Sequence, residues 1–378
     1  MKKICAVTTI ETTMEAFVIP AMREFVEQGY EVSLICTMSD QFKEKYSGEF
    51  KLIHVYMVRG ISLKDMLIKP FEFYKIFKTE KFDYVQYATT NAAWYASVAA
   101  WMARVPVRVN CLWGLLYPAD GGLKRWLKKM IEKVPCIFSN RFIVASNKNL
   151  DLAVKDRLCR RDRAVVIGDG GTVGVDLKKF DVQLREQFKR EMLNRYPLLS
   201  GKTVFGYLGR IDVDKGINEL LEAFFALDRN DASLLLIGPF DSVRSGLDER
   251  LLNKAKAHKN VIFTGFTSEV PQHLAALDAL VHPTYREGFS MVIQQAMAMG
   301  CAVITTDIPG PSEVIEAGKS GLLVPVKDPS ALRNAMDRLY SDISLREQLA
   351  SAGLQRVREK FSRERMVKLN FKNRWIKD

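Results

Sequence analysis

Short apolar runs alternate with helical patterns from one end of the chain to the other, and this alternation constrains the fold more than any other feature. In the first half the runs are Ile4–Thr8, Glu31–Cys36, Lys51–Tyr56, Tyr84–Tyr87, Val107–Cys111, Arg141–Val144 and Ala164–Ile167. In the second they are Thr203–Leu208, Ser233–Ile237, Val261–Thr264, Ala279–His282, Ala302–Thr305 and Gly321–Val324. Helical segments such as Glu219–Leu227 and Pro329–Tyr340 lie between them. Strand and helix in steady alternation predict parallel sheets with helices on both faces. A chain of 378 residues exceeds one ordinary core and suits two domains. The polar stretch Asp181–Leu199 and the following "PLLSG" precede a restart at Thr203. The predicted division is therefore 1–178, a linker region 179–202, and 203–361. A last helix, about Arg363–Trp375 within 362–378, is expected to pack back on the first domain. Two doubly wound domains would place a cleft between them at the carboxyl ends of the strands, where such sheets bind ligands.

Several function classes are disfavoured. The six cysteines are scattered, form no C-x-x-C pair and do not cluster with the four histidines. That pattern reads as reduced thiols in a cytosolic protein, with neither a disulfide framework nor a zinc site. The start, "MKKICAVTTIETT", has the lysines of a signal peptide, but its apolar run ends at Thr8, so it reads as a first strand. The longest uncharged stretch, Tyr84 to Ala103, has an apolar part too short to span a bilayer and reads as a buried helix. The formal charge of +12 is uneven: residues 1–180 hold 28 Lys+Arg against 19 Asp+Glu. A basic first half suggests an anionic partner there: phosphate, nucleic acid or a membrane surface.

Three stretches carry chemistry. In "GYLGRIDVDKG", residues 206–216, a strand ends at Gly209, and Arg210 and Lys215 follow around a turn closed by Gly216. The glycines let the backbone approach a ligand. A planar fork and a point charge suit a diphosphate, although a solvated loop with two surface cations is the plainer alternative. Within it Asp212 and Asp214 spell an acid-x-acid motif. They sit between cations that would compete with a metal ion, so no metal is expected. No G-x-G-x-x-G follows the first strand, which counts against a nicotinamide or flavin enzyme.

The second stretch is "LVHPT" followed by "YREGFSMVIQQAMAMG". Glu287-Gly288-Phe289-Ser290 leads from a strand end into a helix beginning at Met291. Helix-start N–H groups can hold phosphate, and Glu287 can accept hydrogen bonds from sugar hydroxyls. A helix N-terminal glutamate favoured by the dipole is the alternative. The third is "GGLKRWLKKMIEKV", residues 121–134. Leu123, Trp126, Leu127, Met130, Ile131 and Val134 share one helical face; Lys124, Arg125, Lys128, Lys129 and Lys133 occupy the others. A basic amphipathic helix with a Trp suits an anionic membrane surface. Alternatively, its apolar face packs on its own domain.

These residues, in this order, resemble the retaining glycosyltransferases of the GT-B fold known as family 4, or group 1. "GRIDVDKG" is similar to the family's G-R-x4-K-G segment, and "PTYREGFSMVIQQAMAMGCAVITTDIPG" to its E-x7-E segment and following strand. "SGLLVP" matches its end strand; "MARVPVRVN" and "GDGGTVGVDLKKF" resemble first-domain and linking segments. The subgroup most resembled transfers sugars onto lipid-diphosphate-linked oligosaccharides for bacterial surface glycans.

The resemblance implies two Rossmann-like domains and a nucleotide-sugar donor, UDP-linked, used without a cofactor or metal. It implies that Arg210 and Lys215 hold the donor diphosphate and that Glu287 contacts the sugar. Gly209, the backbone of Gly288, Phe289, Ser290, Met291 and Val292, and Gly265 with Phe266 by the base would complete the donor site. Two positions depart from the pattern. The family's second glutamate, which receives the ribose hydroxyls, is Gln295 here, and a His-Gly pair of the first domain reads Trp113-Gly114. The Gln295 carbonyl can still accept one ribose hydrogen bond, and loss of the charge weakens that bond by about 1 kcal/mol. The expectation is a hexosyltransferase-type enzyme, peripheral at the inner face of the cell membrane. Trp113 and the basic helix would serve the acceptor or membrane side, with a glycan or polyprenyl-diphosphate-linked acceptor. A catalytically silent partner subunit and a GT-B sugar-nucleotide epimerase are the alternatives. Nucleic acid is not expected, because the basic stretches lack aromatic stacking platforms.

Overall fold

The structure is a computed structural model and describes residues 1–58, 60, 62–240 and 246–374. It divides into two compact units, Met1–Val173 with the segment from Arg363, and Gly174–Ser362.

The first unit is built on a seven-stranded parallel sheet. Its strands are β1 (Lys3–Ile10), β2 (Glu31–Thr37), β3 (Lys51–His54), β4 (Tyr84–Tyr87), β5 (Val107–Leu112), β6 (Arg141–Val144) and β7 (Ala164–Val166), in the order β3-β2-β1-β4-β5-β6-β7. Alternate residues feed opposite faces. Ile4 and Ala6 join a core with helix Ile19–Glu27, while Cys5 and Val7 join one under helices Leu63–Glu80 and Thr90–Met102. Parallel strands are covered on both sides, so they read as unbroken apolar runs, as the sequence has them. The stretch Tyr84–Ala103 supplies β4 and the buried helix Thr90–Met102. All six cysteines are free and buried. Among the described residues no helix is long and apolar enough to cross a membrane.

The C-terminal helix, Arg363–Lys372, completes this unit; Trp375, its expected end, lies outside the described residues. Phe371 meets Phe25 edge-on with ring centroids 5.0 Å apart. Just beyond the helix, buried Arg374 donates to Gln86 Oε1, to the Tyr84 hydroxyl at 2.8 Å and to Asn370 Oδ1 at 2.9 Å.

The second unit has six parallel strands, β8 (Thr203–Leu208), β9 (Ala232–Ile237), β10 (Val261–Gly265), β11 (Ala279–His282), β12 (Ala302–Thr306) and β13 (Leu322–Val324), ordered β10-β9-β8-β11-β12-β13. The chain runs outward one way from β8 and then returns to its other side at β11. The gap between the β8 and β11 carboxyl ends is thus a topological switch point, where open α/β sheets place ligands. The segment 179–202, expected as a linker region, folds into this unit. Its helix Arg185–Arg195 is tied down by Arg185, which donates to the carbonyls of Leu277, at 2.8 Å, and Gly300.

The Arg374 network yields a stability test. Arg374→Ala leaves the oxygens of Gln86, Tyr84 and Asn370 short of buried donors, at an expected cost of about 2–4 kcal/mol. Urea unfolding should show the midpoint falling by that amount. An unchanged midpoint would mean the arginine contributes no net anchoring.

Candidate functional site

The site residues of the second unit come from the loops that follow β8 and β11. After β8, Gly209 turns with φ 148° and leads to Arg210, whose side chain is half exposed and lies 3.5 Å from Asp212. Asp212 caps the short 3-10 turn Val213–Lys215 by accepting the Lys215 N–H at 3.1 Å. Gly216 follows in the left-handed region, φ 70°, and a Cβ there would come 2.1 Å from the Pro283 carbonyl oxygen. The two loops therefore touch as bare backbone. Tyr285 N–H donates to the Asp214 carbonyl at 2.9 Å, and the Asp214 carboxylate receives Arg286 at 3.0 Å. The acid pair is thus engaged: Asp212 by the turn and Arg210, Asp214 by Arg286.

This contact brings Lys215 Nζ to 2.8 Å from Glu287 Oε2. His282, buried at the end of β11, places Nε2 3.8 Å from the same oxygen and 3.4 Å from Ser290 Oγ. Its ring stacks on Tyr207 with centroids 6.1 Å apart. Burial alone would raise the Glu287 carboxyl, but Lys215 and His282 outweigh it and hold the group well below the usual carboxylate range. Burial pushes the His282 imidazole down, with Glu287 pulling the other way. The result is an ionised glutamate beside an ammonium and a neutral histidine, in a partly buried corner. Such a corner can receive polar hydroxyls on one side and anionic oxygens on the other.

Ser290 starts the helix Met291–Ala298, capping it by accepting the Ile293 N–H at 3.3 Å. Gly288 follows Glu287, and a Cβ on Gly310 would come 2.2 Å from its carbonyl. The Phe289 ring is buried edge-on against Phe361, so only its backbone is available to a ligand. Met291, Val292 and Gln295 are half-buried along that helix, and the Gln295 amide makes no hydrogen bond among the described residues. The neighbouring Gln294 is buried and donates to the Ser290 carbonyl at 3.2 Å. Gly265 ends β10, bridges to Gly238 and leads to an exposed Phe266. A Cβ on Gly238 would come 2.0 Å from the Gly209 carbonyl. The carboxyl ends of β8, β9 and β10 thus carry a row of glycines, Gly209, Gly238 and Gly265.

Sequence reasoning assigned no role to His282, Gly238, Gly310, or the tie from the Tyr285 hydroxyl to Glu219 at 2.5 Å. "LVHPT" held one usable signal: a histidine at the carboxyl end of an otherwise apolar strand.

The remaining predicted residues lie in the first unit. Trp113 follows β5, half-buried against Phe17 with centroids 5.7 Å apart. The basic stretch forms the helix Gly122–Phe138, turned opposite to ordinary amphipathic packing. Lys128 and Lys129 point inward to Asp120, at 2.5 Å, and Asp156, at 2.7 Å. Arg125 lies over the buried Tyr117 ring, and Lys124 pairs with Asp120 at 3.0 Å. Leu123, Trp126 and Leu127 face outward, 72%, 56% and 49% exposed. The alternative in which this apolar face packs on its own domain is thereby corrected for these three residues.

Comparison with known proteins places this geometry. Residues 202–342 match the family model "Glycosyl transferases group 1", and residues 3–146 match "Glycosyl transferase 4-like". The chain is 28% identical to the capsular polysaccharide biosynthesis glycosyltransferase CapM of Staphylococcus aureus, over 91% of this chain and 90% of that protein. It is 26% identical to an N,N'-diacetylbacillosaminyl-diphospho-undecaprenol alpha-1,3-N-acetylgalactosaminyltransferase of Campylobacter jejuni, over 90% and 89%. The structure of Anabaena HepE in complex with UDP and glucose superposes with a TM-score of 0.81 at 18% identity, covering 98% of each chain. The fold is GT-B, and the chain belongs to the group 1, family 4 glycosyltransferases.

Proposed function

We propose that the protein transfers a hexosyl group, with retention, from a UDP-sugar to a polyprenyl-diphosphate-linked glycan acceptor in bacterial surface polysaccharide synthesis. It would act in the cytoplasm, at the inner face of the cell membrane. The observation that carries the donor half is the Lys215–Glu287 pair at the switch point of the second unit, with Arg210 half exposed beside it. The acceptor half rests on what the staphylococcal and Campylobacter relatives are named for.

In this mechanism Arg210 and Lys215 stabilise the charge that develops on the departing diphosphate as the anomeric C–O bond breaks. The acceptor hydroxyl attacks from the same face, and its proton passes to a leaving-group phosphate oxygen. Glu287 stays ionised and accepts sugar hydroxyls. Gln295 receives the ribose. No metal ion takes part, since Asp212 and Asp214 are already held by the loop and its cations. Screening nucleotide sugars for thermal stabilisation, then for transfer to a lipid-linked acceptor, tests the whole reading. Stabilisation by a nucleotide sugar without transfer or donor hydrolysis would favour a silent partner subunit; interconversion of the free donor would favour an epimerase.

Arg210→Ala and Lys215→Ala should each lower kcat/KM by about 2–4 kcal/mol with folding retained, the scale of one lost electrostatic donor. The pH profile adds a sign. Wild-type Glu287 has a depressed carboxyl, so the pair's stabilisation is present above the ordinary value of about 4.3 and is lost as pH falls through the lower folded value. In Lys215→Ala burial is no longer outweighed by the ammonium, so the acid limb of activity should move to higher pH. A limb that stays put would show that Lys215 does not control Glu287.

EDTA should leave turnover unchanged. Complete loss restored by Mg²⁺ or Mn²⁺ would make Asp212 and Asp214 ligands.

Gln295→Ala should raise donor KM more than it lowers kcat, by about 1–2 kcal/mol, because ribose lies away from the breaking bond. Gln295→Glu should keep activity. Equal donor KM in wild type and Gln295→Ala would remove Gln295 from the ribose.

A further inference from the structure

The first unit has a cavity of about 720 Å³ at the amino ends of β6 and β7, the sheet edge opposite to Trp113. The end of helix Gly122–Phe138, the start of β6 and the turn 157–163 line it, and it is open to solvent. Five cations line it, Lys133, Arg157, Arg160, Arg161 and Arg163, against a single acid, Asp162. Arg160 is taken up by Asp162 at 2.9 Å and Arg161 by Asp151. The side chains of Lys133 and Arg157 make no hydrogen bond or ion pair among the described residues; Arg163 makes none either, but it shares the field of Asp162 with Arg160. The rest of the lining is largely apolar, with buried Phe142 and Leu158 and half-buried Val154. Cations beside an apolar lining suit a ligand with a phosphate at one end and hydrocarbon at the other.

The helix leading into this cavity supports the same reading independently. Its outward apolar residues are Leu123, Trp126, Leu127 and Ile137, with half-buried Met130 and Val134 between them; Ile137, 64% exposed, stands at the cavity mouth. Seventeen residues of helix span about 25 Å, so the stripe is a long apolar strip with its own polar face turned into the protein. Helix Thr90–Met102 packs beside it, and helix Leu63–Glu80 packs in turn on Thr90–Met102 and exposes Leu63, Leu67, Ile68 and Phe71. An apolar strip that ends in cations complements the surface of an anionic bilayer, and the exposed apolar residues of helix Leu63–Glu80 add to the same unit's apolar surface.

We infer that this cavity is a headgroup site for an anionic phospholipid, whose phosphate meets Lys133, Arg157 and Arg163 while its chain lies along the outward stripe of helix Gly122–Phe138. This deepens the proposed work at a membrane face, and it moves the electrostatic contact away from Lys128 and Lys129, which face inward. The site belongs to the first unit and shares no residue with the donor site of the second.

The test uses the full chain and vesicles of phosphatidylcholine with and without phosphatidylglycerol. Wild type should bind the phosphatidylglycerol vesicles at least about tenfold more tightly, with the preference falling as salt rises. Lys133→Ser/Arg157→Ser/Arg163→Ser should lose about a hundredfold on those vesicles. Leu127→Ser/Ile137→Ser should weaken binding to both kinds. Both variants should keep the wild-type melting temperature and its stabilisation by the donor, readouts that would fail separately if the glycosyltransferase reading were wrong. Equal vesicle binding by the triple variant would overturn the site. Inorganic phosphate protecting the cavity arginines from a guanidine-modifying reagent as well as the vesicles do would make it a free-phosphate site and overturn the lipid assignment. Loss in the triple variant of binding to a short RNA, with vesicle binding unchanged, would do the same in favour of nucleic acid.

Discussion

Lys215 and Glu287 meet at 2.8 Å because the loops that carry them touch with nothing but backbone between them. Gly216 lies against the Pro283 carbonyl so closely that any Cβ would collide. Much of the second unit's candidate site follows from that contact. It brings the cation to the carboxylate, holds Glu287 ionised despite burial, and leaves Arg210 on the exposed side. Gly238 against Gly209 and Gly310 against Gly288 repeat the device, so the floor of the site is peptide rather than side chain. A site floored by peptide presents its polar groups at fixed positions and loses little order when a ligand arrives.

The alternation of strand and helix was legible because parallel strands covered on both faces must be apolar throughout. All thirteen predicted runs are strands, with shifts such as Lys51–Tyr56 shortening to Lys51–His54. The cations and glycines of 206–216 were legible for a related reason: a charged, glycine-bounded turn after an apolar strand has few structural uses. Gly238 and Gly310 were not, since what they make room for is far away in the chain. Nor was His282, because one histidine in an apolar run looks the same whether it packs in a core or steadies a carboxylate. The segment 179–202 looked like a linker by polarity, yet one arginine, Arg185, binds it to the sheet through two carbonyls that polarity cannot indicate.

Helix Gly122–Phe138 shows the limit most clearly. A helical wheel separates its faces but does not say which one turns inward. That is decided by Asp120 and Asp156, one just before the helix and one in the turn that follows the next helix. Their carboxylates, with the Tyr117 hydroxyl donating to Asp156 at 2.7 Å, form an acidic lining that draws Lys128 and Lys129 inward.

This inversion has an energetic consequence. Drawing two lysines inward removes part of their hydration, which ion pairs at this depth only roughly offset. Turning Leu123, Trp126, Leu127 and Ile137 to water forgoes about 1.5–3 kcal/mol for each side chain that burial could have stabilised. Neither choice stabilises an isolated unit in water, and the reverse orientation would have used the apolar face as core. The arrangement becomes favourable once the outer face is removed from water, because the apolar stripe then gains what the fold gave up. Lys133 near the end of the same helix, with Arg157 and Arg163 in the turn 157–163, sets the sign of the surface that can do this. A neutral apolar partner would strand their charge, whereas an anionic, hydrocarbon-backed surface satisfies stripe and cations together.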